Sequence, residues 1–129
     1  MNILIWGGGG YGGTPLIAEL LKNKKNKIIV VDTFWFGNFL KKNKRLKIIK
    51  KDIRQINIKW FRGIDSVIHL ANIANDPAVD LNPNLSWDVN VITAMKIMKF
   101  EITNKVKKLI YASTGSVYGR KKETRVTAE

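Results

Sequence analysis

The sequence contains no cysteine, and only one of its 129 residues is a histidine. The lack of cysteine excludes disulfides, thiolate catalysis and cysteine-ligated metal ions, and it is typical of a reducing compartment. His69 cannot build a metal site alone, so no metal is expected. No apolar run approaches the roughly 20 residues that a membrane helix needs, and Met1 leads into the first apolar block without a basic leader. These absences predict a cytoplasmic protein without a membrane partner.

Acidic residues are also scarce: 10 Asp and Glu stand against 23 Lys and Arg, which gives a net charge of +13. Such a surface attracts nucleic acid, acidic lipid or phosphorylated metabolites. The excess is mostly lysine, scattered through KNKKNK, KKNKRLKIIKK and KVKK, as codon bias in an AT-rich genome also produces. These segments lack the interleaved aromatic residues and the Arg-rich helix of common nucleic-acid modules. No nucleic-acid partner is therefore expected, and steering of an anionic ligand remains open.

A chain of this length, 45% hydrophobic, predicts one globular domain. Continuous apolar blocks predict five parallel strands buried on both faces, at residues 2–6, 27–31, 46–50, 66–71 and 108–113. Helical spacing predicts crossover helices over 14–23 and 85–103, and a short helix over 53–61 that Asp52 caps. This alternation indicates the α/β class, as a doubly wound parallel sheet with right-handed crossovers.

The stretch WGGGGYGG, residues 6–13, places six glycines directly after the first predicted strand. Glycines at a strand-to-helix turn let the backbone approach a pyrophosphate, which the helix N-terminus then binds. Two spacings fit a dinucleotide site: Gly7-x-x-Gly10-x-x-Gly13 and Gly8-x-Gly10-x-x-Gly13. A purely structural turn is one alternative. A P-loop is another, but the following GGTP lacks the required lysine.

Asp32 ends the second predicted strand about 20 residues beyond the glycines, where a dinucleotide fold places an acid on the ribose hydroxyls. An aspartate that merely caps a surface turn is the alternative. The order of glycine turn, helix, strand and acid favours the ribose role. A carboxylate there repels a 2′-phosphate, and no basic residue follows before Lys41. NAD is therefore expected rather than NADP.

Together these segments resemble the extended short-chain dehydrogenase/reductases, also called NAD-dependent epimerase/dehydratases. GGGGYGG resembles the glycine turn of that family, VVDTFWFGN its ribose-binding strand end, KDIR its adenine-contacting Asp-Ile pair, and SVIHLAN the backbone along the dinucleotide. The resemblance implies a Rossmann-type sheet with strand order 3-2-1-4-5. It also implies cofactor contacts from Gly7, Gly10, Tyr11, Gly12, Gly13, Asp32, Thr33, Phe34, Asp52, Ile53, Leu70, Ala71 and Asn72.

The stretch LIYASTGSVYG, residues 109–119, resembles the most specific signature of the family. The resemblance places Thr114 on the catalytic Ser/Thr, whose hydroxyl hydrogen-bonds the reacting sugar oxygen. Ser113 and Ser116 are expected to form hydrogen bonds at the strand end. Tyr118 belongs to the signature but does not correspond to the catalytic tyrosine.

Two further polar residues, His69 and Asn90, are expected to have structural roles. His69 is expected to pack within its strand rather than to act in catalysis. Asn90 is expected to help position the long helix. The sequence also departs from the family at Trp6, where a small threonine is usual, and at Gly12, where an apolar side chain normally packs, so a looser turn is expected.

The largest departure is the family's Tyr-x-x-x-Lys, expected roughly 25 residues beyond Thr114 and not found within the 129 residues. The sequence is therefore interpreted as residues 1–129 of a longer nucleotide-sugar epimerase, dehydratase or reductase. It would form a partial NAD-binding domain, inactive without the catalytic segment and sugar domain, and the complete protein would be a homodimer. The alternatives are a non-enzymatic dinucleotide-binding module and, less favoured, a basic nucleic-acid-binding domain.

Overall fold

The computed structural model describes residues 1–74 and 76–114, so the expectations for Ser116 and Tyr118 lie outside the described residues. The strands are β1 (Asn2–Trp6), β2 (Lys27–Asp32), β3 (Leu46–Lys50), β4 (Ser66–His69) and β5 (Lys108–Tyr111). The α-helices are α1 (Gly13–Lys22), α2 (Asp76–Leu81), α3 (Pro83–Trp87) and α4 (Ala94–Thr103). Two 3₁₀ helices, Ile53–Gln55 and Ile58–Phe61, precede β4, and a π-helix, Asp88–Thr93, joins α3 to α4.

All five strands run parallel in one sheet, in the order β3-β2-β1-β4-β5, which confirms the predicted fold class and strand order. After β3 the chain crosses to the other side of β1 to form β4. The direction of winding therefore reverses between β1 and β4, at the position where doubly wound sheets bind ligands beyond the carboxyl ends of their strands.

Alternation along the central strands builds two cores, one on each face of the sheet. On one face Ile3, Ile5 and Ile68 pack with Ile17 of α1. On the other face Leu4, Trp6 and Val67 pack under the 3₁₀ helices, the π-helix and α4, with Phe61, Val89 and Ile97. The sheet is thereby held rigid at its centre, where the glycine turn begins.

The predicted boundaries differ from the observed ones in several places. The expected short helix over 53–61 is instead a pair of 3₁₀ helices, although the Asp52 carboxylate does accept the capping hydrogen bond from the Arg54 amide. The strands β4 and β5 end at His69 and Tyr111, two residues earlier than expected. Within the described ranges, no helix has the length and hydrophobicity required to cross a bilayer.

The prediction that every strand is buried on both faces is wrong for β3 and β5, the outer strands of the described sheet. Ile48 of β3 is 37% exposed and Ile110 of β5 is 43% exposed, whereas Leu4 and Val67 of the central strands are fully buried. An edge strand has a neighbour on one side only, and the described helices pack mainly over the centre of the sheet. Within the described residues, the outer strands are therefore less covered than the central ones.

Trp6, the departure at the end of β1, is fully buried. Its ring lies 5.8 Å from that of Trp60 and 5.9 Å from that of Phe61, measured between centroids. The 3₁₀ helix Ile58–Phe61 thus supplies an aromatic pocket for the large side chain. The substitution is accommodated beneath the sheet and leaves the glycine turn closely packed against the neighbouring strands.

Glu101 of α4 is only 5% exposed, and its Oε1 atom has no hydrogen-bond partner among the described residues. Burial raises the pKa of this carboxyl from 4.5 to about 7. Because the folded-state pKa is the higher one, the contribution of Glu101 to stability is complete below pH 4.5 and is lost as the pH rises through about 7. We expect Glu101→Gln to raise the Tm at pH 8 and to change it little near pH 5.

Thermal unfolding followed by circular dichroism at the two pH values measures this effect. The control is Glu19→Gln, because the Glu19 side chain is exposed and forms a surface ion pair with Lys22. An equal change of Tm in both variants would contradict the assignment to burial of Glu101.

Candidate functional site

The turn from β1 into α1 places its first glycine between two strand ends. Gly7 has a φ of +76°, and its amide donates a hydrogen bond to the Val31 carbonyl at the end of β2. A Cβ at this position would lie 2.5 Å from the amide nitrogen of Ala71, which follows β4. Only glycine satisfies both the left-handed backbone and this close approach.

The remaining glycines fall into two groups. A Cβ at Gly13 would lie 2.6 Å from the Gly8 carbonyl oxygen, and one at Gly9 would lie 2.5 Å from the Phe34 ring. A Cβ at Gly8 would lie 2.9 Å from the side chains of Ile17 and Val30, so packing within the protein favours glycine at all these positions. A Cβ at Gly10 would meet only the Gly7 carbonyl, at an ordinary 3.6 Å, and one at Gly12 would meet nothing within 4 Å. Of these two, Gly10 lines the neighbouring cleft. The missing side chain at Gly10 therefore leaves room for something outside the protein.

Asp32, at the end of β2, connects the glycine turn to the loop that follows it. Its Oδ2 accepts a hydrogen bond from the Gly9 amide at 2.8 Å, and its Oδ1 accepts one from the Phe34 amide at 2.7 Å. Phe34 has a left-handed φ of 55°, which is uncommon for a bulky residue and is found most often at functional sites. Each carboxylate oxygen keeps a further lone pair that can accept a hydrogen bond from a hydroxyl group.

A cleft opens beside this turn, between the carboxyl ends of the strands. Most residues predicted to bind the cofactor line it: Gly7, Gly10, Asp32, Thr33, Phe34, Asp52, Ile53, Leu70, Ala71 and Asn72. Of the other three, Tyr11 has a fully exposed side chain, and Gly12 and Gly13 lie at the start of α1. Within 1–74 and 76–114, no three His, Asp or Glu side chains are grouped as metal ligands.

The cleft also includes residues that sequence reasoning missed: Gly9, Val31, Trp35, Phe36, Gly37, Lys51, Ile73 and Val89. Trp35 is 62% exposed and Phe36 is 89% exposed, which is unusual for side chains of this size. The run FWFG, which closely follows Asp32 in the sequence, was a signal for Trp35 and Phe36. Lys51 follows β3, and its amide donates to the Asp32 carbonyl, which places Lys51 beside the acid.

Asp52 lies at the same end of the cleft as Asp32. The hydrogen bond from the Arg54 side chain lowers the pKa of the Asp52 carboxyl, so this group stays ionised and acts as an acceptor. Asp52 thus brings a second carboxylate to the end of the cleft where the family resemblance expects the adenosine.

Asn90, in the π-helix, holds the wall of the cleft that follows β4. Its Oδ1 accepts from the Ile73 amide and its Nδ2 donates to the Ile73 carbonyl, both at 2.9 Å. The wider π-turn presents Asn90 to this loop, in keeping with the frequent occurrence of π-turns at functional sites. The expectation that Asn90 positions the long helix is confirmed, and the same bonds also fix the loop that lines the cleft.

His69 is fully buried, and its ring packs edge-on against Tyr111 with 5.1 Å between the ring centroids. Burial lowers the pKa of His69 to about 4, so the imidazole is neutral at physiological pH. Its side chain does not line the cleft. These observations agree with the expected packing role.

Thr114 is exposed and lies three residues beyond the end of β5. The strand end itself is connected to the cleft, because the Asn72 side-chain amide donates to the Ala112 carbonyl at 3.4 Å. Thr114 does not line the cleft, and its catalytic role stays a prediction.

Residues 3–129 match the family model described as "NAD dependent epimerase/dehydratase family". Among curated proteins, UDP-glucuronic acid decarboxylase 6 of Arabidopsis thaliana is 31% identical over 125 residues, which cover 92% of this chain and 35% of that protein. A putative UDP-glucose 4-epimerase of Methanocaldococcus jannaschii is 29% identical over 121 residues, with 91% and 39% covered.

Solved structures agree with these matches. The UDP-glucuronic acid 4-epimerase from Bacillus cereus in complex with UDP-glucuronic acid and NAD superposes with a TM-score of 0.86 at 30% identity, covering 98% of this chain and 44% of that one. The UDP-N-acetylglucosamine 4-epimerase from Methanobrevibacter ruminantium superposes with a TM-score of 0.87 at 27% identity, with 98% and 42% covered. The chain therefore spans less than half the length of these relatives.

Proposed function

The chain belongs to the NAD dependent epimerase/dehydratase family, and on that premise we propose that residues 1–129 form the partial NAD-binding domain of a nucleotide-sugar epimerase or dehydratase. The observation that carries the proposal is the position of the Asp32 carboxylate, bonded to the Gly9 amide beside a cleft that Gly10 leaves open. That arrangement combines an acceptor for ribose hydroxyls with a backbone surface for a pyrophosphate.

The described residues would hold the parts of NAD in order along the cleft. The N-terminus of α1, which follows Gly10, favours the pyrophosphate, because the first amides of a helix and the helix dipole attract an anion there. Asp32 would accept the ribose hydroxyls. Ile53 and the exposed ring of Trp35 offer apolar surface for the adenine. Bound NAD supplies the hydride acceptor of the reaction, and Leu70, Ala71 and Asn72 would line the remainder of the dinucleotide.

The proposed substrate is a nucleotide sugar, the class named for the B. cereus and M. ruminantium enzymes. In this proposal the Thr114 hydroxyl holds the reacting sugar oxygen. A tyrosine would exchange its proton and a lysine would lower the pKa of that tyrosine. We place those two groups and the sugar pocket in the part of the relatives that the 129 residues do not span, so the chain by itself would be inactive.

Preference for NAD over NADP follows from the same carboxylate. A 2′-phosphate would meet Asp32 as a like charge, and we expect NADP to bind at least about tenfold more weakly than NAD. Lys51 opposes this preference, because it brings a positive charge into the cleft. Removing that charge by Lys51→Ala should therefore weaken NADP binding more than NAD binding.

Isothermal titration calorimetry with both cofactors measures these affinities. Lys50→Ala is the matched control, since Lys50 is exposed but does not line the cleft. Tighter binding of NADP than of NAD by the unmodified chain would refute the role given to Asp32. Failure to bind either cofactor would refute the proposed function itself.

A further inference from the structure

The loops at the amino ends of the five strands form one strongly basic edge of the molecule. We define this basic edge by the cations that immediately precede or begin β2, β3, β4 and β5: Lys24, Lys25, Lys27, Lys44, Arg45, Arg62, Lys105, Lys107 and Lys108. In a parallel sheet the amino ends of all strands lie at the same edge. Backbone hydrogen bonds link these loops across the sheet: the amides of Ile28, Lys27 and Lys107 donate to the carbonyls of Arg45, Met1 and Asp65, respectively.

Little within the basic edge neutralises this charge. Asp65 is the acidic residue in the same loops, and its Oδ2 accepts a hydrogen bond from the Asn2 amide. In the described part of the chain the ion pairs are Lys22 with Glu19 and Arg54 with Asp52, and neither includes a member of the basic edge. The side chains of the edge are exposed, apart from a half-buried Arg45.

The opposite edge of the sheet carries fewer unpaired cations. Residues 7–12, 33–40 and 70–74, which follow the carboxyl ends of β1, β2 and β4, contain no lysine or arginine. The end of β3 is the exception, because Lys50 ends the strand and Lys51 lines the cleft beside Asp32. A genomic bias toward lysine explains the number of cations but not their denser grouping at the amino ends of the strands.

The chemistry of the basic edge favours a diffuse anionic surface over a nucleic acid. Most of its cations are lysines, which act as mobile point charges, and the Arg45 guanidinium donates to the carbonyls of Leu21, Asn23 and Asn26. Stacking of unpaired bases requires exposed aromatic rings, and these loops contain none.

We propose that the basic edge adsorbs electrostatically to bilayers rich in anionic phospholipid. Five strands spaced by about 4.8 Å extend the edge over roughly 19 Å, which suits several lipid headgroups at once. Docking by this edge leaves the cleft at the other end of the strands open to solvent. The expectation that the protein has no membrane partner rested on hydropathy, which does not detect binding of this kind.

Cosedimentation with vesicles tests the proposal. The chain is mixed with vesicles of phosphatidylcholine alone or with vesicles containing a third phosphatidylglycerol, at low and at high salt. The test variant carries Lys25→Glu, Lys44→Glu and Lys107→Glu. The control variant carries Lys50→Glu, Lys96→Glu and Lys99→Glu, which changes the net charge equally but at exposed positions outside the basic edge. Circular dichroism establishes that both variants are folded.

We expect binding only to the anionic vesicles, its loss at high salt, and a decrease of roughly tenfold or more in the partition coefficient of the test variant relative to the control. An equal decrease in both variants would show that net charge alone is responsible and would overturn the proposal. Absence of binding to anionic vesicles would overturn it too. Stronger binding to duplex or single-stranded DNA, lost in the same test variant, would assign the edge to nucleic acid instead.

Discussion

The replacement Gly10→Val is expected to abolish NAD binding while the chain remains folded. A Cβ added at Gly10 would have the Gly7 carbonyl oxygen, at 3.6 Å, as its nearest neighbour, so we expect the fold to tolerate valine there, whereas the side chain would occupy the part of the cleft proposed for the pyrophosphate. The cofactor would lose its contact with the backbone amides, and the affinity should fall by about 100-fold or more, which corresponds to roughly 2.7 kcal/mol. Calorimetric titration with NAD measures the loss, and circular dichroism checks the fold.

The same side chain placed two residues further along provides the matched control. In Gly12→Val the new Cβ meets nothing within 4 Å, and Gly12 does not line the cleft. Its backbone amide stays available, so we expect an affinity within about threefold of the unmodified chain. If a folded Gly10→Val variant binds NAD as tightly as Gly12→Val does, the glycine turn does not bind the pyrophosphate as proposed.

The second large effect concerns turnover. Given NAD and a nucleotide sugar, the 129-residue chain is expected to show no turnover at the rate of a complete enzyme. In the proposed function Thr114 positions the sugar oxygen but does not exchange its proton, and positioned acid–base catalysis accounts for about 10²- to 10⁴-fold of a typical rate. The same proposal places the sugar pocket outside the 129 residues, so loss of orientation would remove further orders of magnitude.

A single-turnover assay that follows NADH absorbance, with a panel of UDP-, GDP- and dTDP-sugars, tests this expectation. The assay is run at a cofactor concentration that titration has shown to saturate the chain, so weak binding does not explain a negative result. A version extended through a downstream Tyr-x-x-x-Lys segment serves as the comparison. Robust turnover by the short chain would show that the catalytic groups are misplaced, whereas inactivity of both versions would favour a non-enzymatic dinucleotide-binding module.

Much of the fold was predictable because its signals are local. The apolar blocks at 2–6 and 46–50 coincide with β1 and β3, and helical spacing located α1 to within one residue. The glycine turn and Asp32 were recognisable because a tight turn and an acid at a strand end each require particular residue types. The sheet order came from the family resemblance, and the structure confirms it.

The errors have a common cause in contacts between distant residues. Apolar runs at β3 and β5 look like central strands, yet exposure depends on which strands and helices lie beside them. Lys51 was missed because it becomes a site residue only when the ends of β2 and β3 meet at one cleft. The division of the long helix by a π-turn was also invisible in its 3.6-residue spacing.

The sequence by itself determined which segments become strands and helices, where the chain must turn on glycine, and which acid follows β2, because these depend on neighbours along the chain. Only the tertiary structure decided which glycines the protein needs for its own packing and which one leaves space for a ligand. It also decided that the Asp32 carboxylate binds the amides of both Gly9 and Phe34, and that the lysines of the basic edge lie at the strand ends opposite the cleft. Those properties arise from the parallel alignment of strands, which brings residues far apart in sequence to the same end of the sheet.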